Sequence, residues 1–435
     1  GGFLALTVLW ILLPALAIHR LQTERGGIDT LQAVLGAIAR GPAERTLLIG
    51  WFFALFIEGA SGFGTPVALA APLLVAVGVE PARAVAIALI GHAVGVSFGA
   101  VGTPVLAQAE LVALPAADLA RVTAQLHAGL GLGLVIATLA QARAFAAGAT
   151  LAFGLGVAAA AGFFVPSVLV ATFVGPELPT LLGALVGGAV FVLLLRRGGG
   201  AGVTRDGRSA LLAAASPYLT VIALVLATRL VGPVRAAAQS VVLRWSLAGL
   251  FSGSFQPLFH PGTLLLGGFL LGGLAQGASV RDLAAVIARS SSRLGTVAVA
   301  LVAMLALSRL MLHAGLVDTL ADAAGAALGE AYPLAAPVVG ALGTFVTGSA
   351  TASNILFSSF QEASAGRLGL PALLILSAQG VGAAVGNIVC PHNIVAGAAA
   401  VGAAGREGAI LRATLAPCLL YLAACGALTF ALAPR

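Results

Sequence analysis

The sequence predicts an all-α membrane protein, a polytopic helical bundle with two repeats and re-entrant helical hairpins. Three observations carry this prediction. Of the 435 residues, 60% are hydrophobic and only 9% charged, whereas a soluble domain has about 25% charged residues. Charge-free apolar runs follow one another from end to end, several of them longer than the ~20 residues that one span requires. A Gly-x3-Gly-x4-Pro spacing at Gly95, Gly99 and Pro104 returns 287 residues later at Gly382, Gly386 and Pro391.

Taken in order, the first apolar run, 3–18, starts without a preceding basic segment, so it reads as a transmembrane helix and not as a signal peptide. Residues 19–45 are hydrophilic, and Ile28 to Ala39 is weakly amphipathic, which suits the membrane interface. From Thr46 to Val79 the one charged residue is Glu58, and the Gly and Pro residues after it break the helix inside a first hairpin near 46–79. Runs at 84–109, 144–176 and 178–195 complete a first repeat, 1–195. The segment 196–208 holds Arg196, Arg197, Arg205 and Arg208 around three glycines. It reads as a basic connecting loop on the cytoplasmic side. A second repeat, 209–435, has a second hairpin near 334–376. Counting at about 20 residues per span gives about 10 to 13 crossing or half-crossing elements.

Each repeat has a break rich in small and hydroxyl residues about 35 residues upstream of its Gly/Pro pattern. One is Gly59 to Pro66; the other is Thr347 to Asn354. Non-helical backbone at membrane depth is tolerated where it is buried or lines a cavity. Interrupted segments at corresponding places in two halves mark the binding site of a secondary transporter. Candidate binding positions are therefore Gly59, Ser61, Gly62, Gly64 and Thr65 at the first break, with Ser349, Thr351, Ser353 and Asn354 at the second. Their hydroxyl and amide groups, with helix N-terminal N–H donors, suit a small organic acid anion without any Arg. The same oxygens also suit Na⁺. Glu58 is the candidate proton carrier, since an ionisable group within a membrane segment is costly and marks function. His92 and His392 join it, because imidazole titrates near physiological pH. Gln379, Asn387 and Asn393 are further polar candidates. Against each stands a structural reading: hydroxyls glue helices, and a buried histidine or acid is often simply bonded to backbone.

Several classes are excluded or unsupported. The +7 net charge comes from 22 basic residues, all Arg, spread between apolar runs. No basic stripe with interleaved aromatics points to nucleic acid. Cys390, Cys418 and Cys425 have no metal or redox spacing. No Walker motif, nucleophile elbow or metal cluster is present, so neither an enzyme nor an ATP-driven pump is indicated and no cofactor is implied. The sequence sets no oligomeric state.

The chain resembles the L-lactate permease family. The resemblance rests on Glu58 to Pro66, on Phe98-Gly99-Ala100-Val101-Gly102-Thr103-Pro104, and on Gly175-Pro176-Glu177-Leu178-Pro179. It continues through Thr347-Gly348-Ser349, Ser353-Asn354-Ile355-Leu356-Phe357, Ala400-Val401-Gly402 and Gly405-Arg406-Glu407. It implies inverted repeats with re-entrant hairpins. It also implies proton-coupled symport of lactate- or glycolate-like 2-hydroxy acids across the bacterial inner membrane. Against the family pattern the chain is short at its N-terminus and has Ala350 where an acid is common. It also has His92 and Gly95 before Phe98, and Cys390-Pro391-His392-Asn393 near its end. Na⁺-coupled transport of another organic anion and a non-transporting membrane receptor are the alternatives.

Overall fold

A computed structural model of the chain describes all residues except 1, 39–40, 63, 113, 198–204, 248–250, 293 and 435. Phe63 of the first break, Ala39 of the amphipathic stretch and residues 198–204 of the basic loop thus lie outside the described residues. The described chain is almost entirely helical. Among the described residues, seven helices are long and apolar enough to cross a membrane: Ala5–Glu24, Pro81–Ala109, Ala149–Phe173, Pro179–Arg196, Ser209–Leu230, Ala372–Val389 and Glu407–Leu432. Two further pairs pass the same test but are bent, Ala116–Leu130 with Leu132–Gln141 by 51° and Val297–His313 with Leu316–Thr347 by 72°.

The residues form two compact units, each assembled from distant chain segments. One contains Phe3–Val34 and Val203–Val299. Inside it Arg289 pairs with Glu24 at 2.7 Å, and Trp10 Nε1 donates to Thr263 Oγ1 at 2.9 Å. It also carries a two-stranded antiparallel hairpin, Leu243–Leu247 with Phe251–Phe255, in the register Leu243↔Phe255. This small departure from an all-helical chain sits where Arg-Trp-Ser-Leu and Phe-Ser-Gly-Ser-Phe alternate with period two.

The other unit, chiefly Leu35–Gly202 and Ala300–Arg435, holds the two breaks. A continuous helix from Pro42 is wound as π over Thr46–Phe53 and ends as Ala54–Ala60. The chain reverses through Gly62 and Gly64, both with positive φ, into Thr65–Ala76. The second hairpin is Tyr332–Thr347, a left-handed Gly348 at φ 79°, and Ala350–Arg367. Each hairpin is followed by a broken helix. The first is Pro81–His92, a 3₁₀ stretch Ala93–Phe98, and Gly99–Ala109 with a kink at residues 100–102. The second is Ala372–Gly386, a 3₁₀ turn Asn387–Val389, and Pro391–Ala400. The kink at 100–102 and the turn at 387–389 are 287 residues apart, the interval of the Gly/Pro pattern.

Small residues let these elements approach closely. A methyl group on Gly382 or Gly386 would collide with the backbone of Pro337 or Ala341 on the facing helix. One on Gly59 would lie 2.6 Å from the Leu181 nitrogen. The kink itself is strained: Ala100 and Val101 have φ of 43° and 55°, a region costing an L-residue roughly 1–2 kcal/mol. Gly102, at φ 80°, packs its bare Cα on the Pro176 carbonyl.

Candidate functional site

The two hairpin tips and the two helix breaks converge on one cavity. It is lined by Glu58, Gly62 and Gly64, by Val96, Gly99, Ala100, Thr103 and Pro104 of the first broken helix, by Gly348 to Thr351, and by Asn387. Its volume, as space open to the centre of a water-sized sphere, is ≈ 40 Å³, room for roughly three waters at ~10–15 Å³ each. No Lys or Arg lines it. The helices Thr65–Ala76 and Ala350–Arg367 both begin at its wall, so the positive ends of two helix dipoles face it.

Glu58 is buried in the last turn before the first tip. Its carboxylate lies over Gly99, where any Cβ would strike it, and a Cβ on Gly62 would be 3.3 Å from Glu58 Oε1. Gly99 is thus the clearance that lets the acid reach the cavity. His92, equally buried, holds Nδ1 at 2.6 Å from the Ala88 carbonyl. A carbonyl can only accept, so Nδ1 carries the hydrogen and Nε2 presents its lone pair. That Nε2 is 3.9 Å from Glu58 Oε2, beyond hydrogen-bond range.

The predicted positions divide into those that reach the cavity and those that do not. Gly62, Gly64, Ser349 and Thr351 line it with Glu58. Ser61 and Thr65 instead build the first tip: their hydroxyls share a hydrogen bond at 2.6 Å, and the one that accepts it donates to its own carbonyl neighbour, Ile57 at 3.1 Å for Ser61 or Gly62 at 2.6 Å for Thr65. Gly59 is a packing contact with Leu181. The Ser353 hydroxyl donates to the Gly340 carbonyl at 2.7 Å and accepts from Gln379 at 3.3 Å. Asn354 Nδ2 donates to the Pro104 carbonyl at 3.1 Å, behind the cavity wall. His392 is exposed beside Gly348 and does not line the cavity. Ala350 is buried in the lining, so among the lining residues Glu58 is the one acid.

Some residues were missed. Thr103 lines the cavity and donates to the Ala100 carbonyl at 2.6 Å, bracing the strained kink. Asn387, already a polar candidate from the sequence, lines it too, accepting from Asn393 at 2.9 Å. His127 is fully buried between the Ser97 hydroxyl (2.9 Å) and the Tyr421 hydroxyl (2.8 Å). Its segment carries Asp118 and Arg121 and so falls outside the charge-free runs. No group of three or more His, Cys, Asp or Glu suited to a metal occurs among the described residues.

The sequence model of L-lactate permease matches residues 1–249 and 238–434, together nearly the whole chain. The protein belongs to the L-lactate permease family. Among its relatives, an L-lactate permease of Streptococcus iniae is 30% identical over 83% of this chain and 78% of that protein. The L-lactate permease of Escherichia coli K12 is 26% identical, and the glycolate permease GlcA of the same strain 25%, each over 97% of this chain and 84% of the relative. A solved structure of Neisseria gonorrhoeae MtrF, described as one of a class of antimetabolite efflux pumps, aligns with 98% of this chain and 80% of its own. The TM-score is 0.52 at 17% identity, a likeness of fold. As an L-lactate permease family member the chain is a multi-pass permease of the bacterial inner membrane and not an enzyme.

Proposed function

We propose that this permease is a proton-coupled symporter of lactate- or glycolate-like 2-hydroxy monocarboxylates. The observation that carries the reading is that Glu58, with His92 beside it, lines a cavity that has no Arg in its wall and is faced by two helix N-termini. The substrate carboxylate binds between the tips, held by N–H groups of Gly64, Ala350 and Thr351 and by the Ser349 and Thr351 hydroxyls. The coupling proton rides on Glu58, with His92 as its exchange partner. Carrying one proton with one anion cancels the charge that would otherwise have to enter a low-dielectric barrier. The relatives named for lactate and glycolate support the substrate class. Lactate has more atoms than ≈ 40 Å³ accommodates, so its entry requires the tips to separate. We place the two hairpin-bearing halves as inverted repeats whose relative motion does this.

The test is uptake of labelled L-lactate into proteoliposomes under an imposed pH gradient, inside alkaline. The expected result is gradient-driven accumulation, lowered at least tenfold in Glu58→Gln and retained when sodium is replaced by choline. Uptake indifferent to the gradient and unchanged in Glu58→Gln would overturn the coupling. Failure of lactate and glycolate alike to be taken up would overturn the substrate.

A further inference from the structure

A second pocket opens at the base of the first hairpin, at the end away from its tip. Four helix ends meet there: the start of the arm at Pro42, the end of Thr65–Ala76, the start of Pro81–His92 and the end of Leu132–Gln141. The arm Thr65–Ala76 has 12 residues, which at the helical rise sets this base about 18 Å from the tip. Two of the four ends belong to elements long and apolar enough to cross the membrane, Pro81–Ala109 and the bent pair that finishes at Gln141. The pocket therefore sits where those elements leave the bilayer. Its volume, measured as for the transport cavity, is ≈ 480 Å³, against ≈ 40 Å³ there.

Arg45, Arg83 and Arg143 line this pocket, each from a different helix end. Arg45 joins the two arms of the hairpin, since its Nη1 donates to the Val77 carbonyl at 3.1 Å. Its Nε–H is buried with no partner among the described residues. The guanidinium groups of Arg83 and Arg143 have no ion pair and no hydrogen bond among the described residues. The one acid in the lining, Glu80, is already committed. Its Oε1 accepts from the Ala82 N–H at 3.3 Å and its Oε2 from the Arg83 N–H at 3.0 Å, and it pairs with Arg406, which is not in the lining. Three guanidinium charges are thus gathered with no protein anion to match them. Arg143 is also an unusual choice for its position. It follows the end of Leu132–Gln141 with φ 54°, a left-handed position that Gly or Asn normally takes. The backbone gives no reason for Arg there; the charge does.

We propose that this pocket binds one phosphate group, carried by the headgroup of an anionic phospholipid. A guanidinium stays charged and meets a phosphate with paired N–H···O bonds. Basic pockets between transmembrane helices hold anionic headgroups in this way. A free phosphate ion offers the same chemistry from solution, but a pocket at the ends of membrane-crossing elements favours the lipid. The bound phosphate links Arg45, at the joined arms of the hairpin, to Arg83 and Arg143. It fixes the base of the first hairpin while the tip serves the transport cavity.

The test reads the lipid retained by the purified full chain, by native mass spectrometry from detergent containing phosphatidylglycerol or phosphatidylcholine. The pocket variant is Arg83→Gln with Arg143→Asn, in which Asn suits the left-handed position and keeps the turn. The control, Arg121→Gln with Arg367→Gln, removes two Arg charges that are outside the lining and paired with Asp residues. Parent and control are expected to retain one phosphatidylglycerol at concentrations about tenfold below those that the pocket variant needs, with no such difference for phosphatidylcholine. A second arm compares melting in phosphatidylcholine nanodiscs with inorganic phosphate and with chloride at equal ionic strength. Stabilisation by phosphate that the pocket variant loses, without a preference for phosphatidylglycerol, identifies the source as the free ion. If the pocket variant matches parent and control in both arms, the proposal is overturned.

Discussion

Glu58 was legible from the sequence because a lone carboxylate in a long apolar run is expensive wherever it points. What it faces was not legible. Its clearance depends on Gly99, forty-one positions later, whose bare Cα leaves the room that the acid occupies. In Gly99→Ala the added methyl pushes the carboxyl aside. Uptake is expected to fall at least tenfold, with a stability loss of about 1–3 kcal/mol from overpacking. Glu58→Asp, which retracts the carboxyl by one methylene, is expected to restore part of the activity when combined with Gly99→Ala. If that double variant is no more active than Gly99→Ala alone, the clearance role is wrong. The candidates of the second tip show the same limit. Thr351 and Ser353 are two residues apart, yet Thr351 lines the cavity while Ser353 is spent on the Gly340 carbonyl. Spacing along a helix orders residues around it, but the side that faces the cavity is set by the packing of other elements.

At the scale of elements, the repeated Gly-x3-Gly-x4-Pro pattern marks two broken helices, and its residues do different work in each. Gly99 makes way for an acid, whereas Gly382 and Gly386 let Ala372–Gly386 press on the backbone of Tyr332–Thr347. Gly382→Ala is expected to destabilise the protein by about 1–3 kcal/mol or more, since backbone cannot yield as a side chain can. Gly366, also within a helix but with nothing near its Cα, is the control: Gly366→Ala is expected to stabilise by about 0.5–1 kcal/mol. Melting of the two variants in one detergent compares them, and equal effects would remove the packing argument. The buried network of Tyr332, Gln361, Gln379 and Ser353 ties the second hairpin to the second broken helix, with Tyr332 donating to Gln361 at 2.7 Å and Gln361 to Gln379 at 2.9 Å. The sequence marked Gln379 as polar in an apolar run but offered no sign of its partners.

At the scale of the molecule, the ion pairs among the described residues are partly exposed to water, apart from the buried Glu58–His92 contact. Glu80 caps the helix Pro81–His92 through the Ala82 and Arg83 N–H groups and pairs with Arg406 from the distant loop 401–406. Slight burial pushes its carboxyl up, but the N–H donors of Arg83 and Ala82 and the Arg406 guanidinium together hold it below the ordinary 4.5. A depressed carboxylate contributes stability that is present above the unfolded-state value and is lost as pH falls through the folded one. Melting from pH 7 down to pH 3 is therefore expected to show an acid loss that shrinks in Arg406→Gln. The pair itself is worth about 0.2–1 kcal/mol, as for other exposed ion pairs. An unchanged acid limb in that variant would show that Arg406 contributes nothing to it.

By itself the sequence determined the membrane class, the helical architecture, the two breaks and the family, because hydropathy, the conformational limits of Gly and Pro, and motif order are local properties. It also singled out Glu58, because the cost of a charge in hydrocarbon needs no knowledge of neighbours. Only the tertiary structure decided which hydroxyls reach the cavity and that His92 and not His392 stands beside Glu58. Those facts are contacts between residues up to 300 positions apart, and a polar side chain in an apolar helix looks the same in sequence whether its partner is a backbone carbonyl, a proton or a substrate.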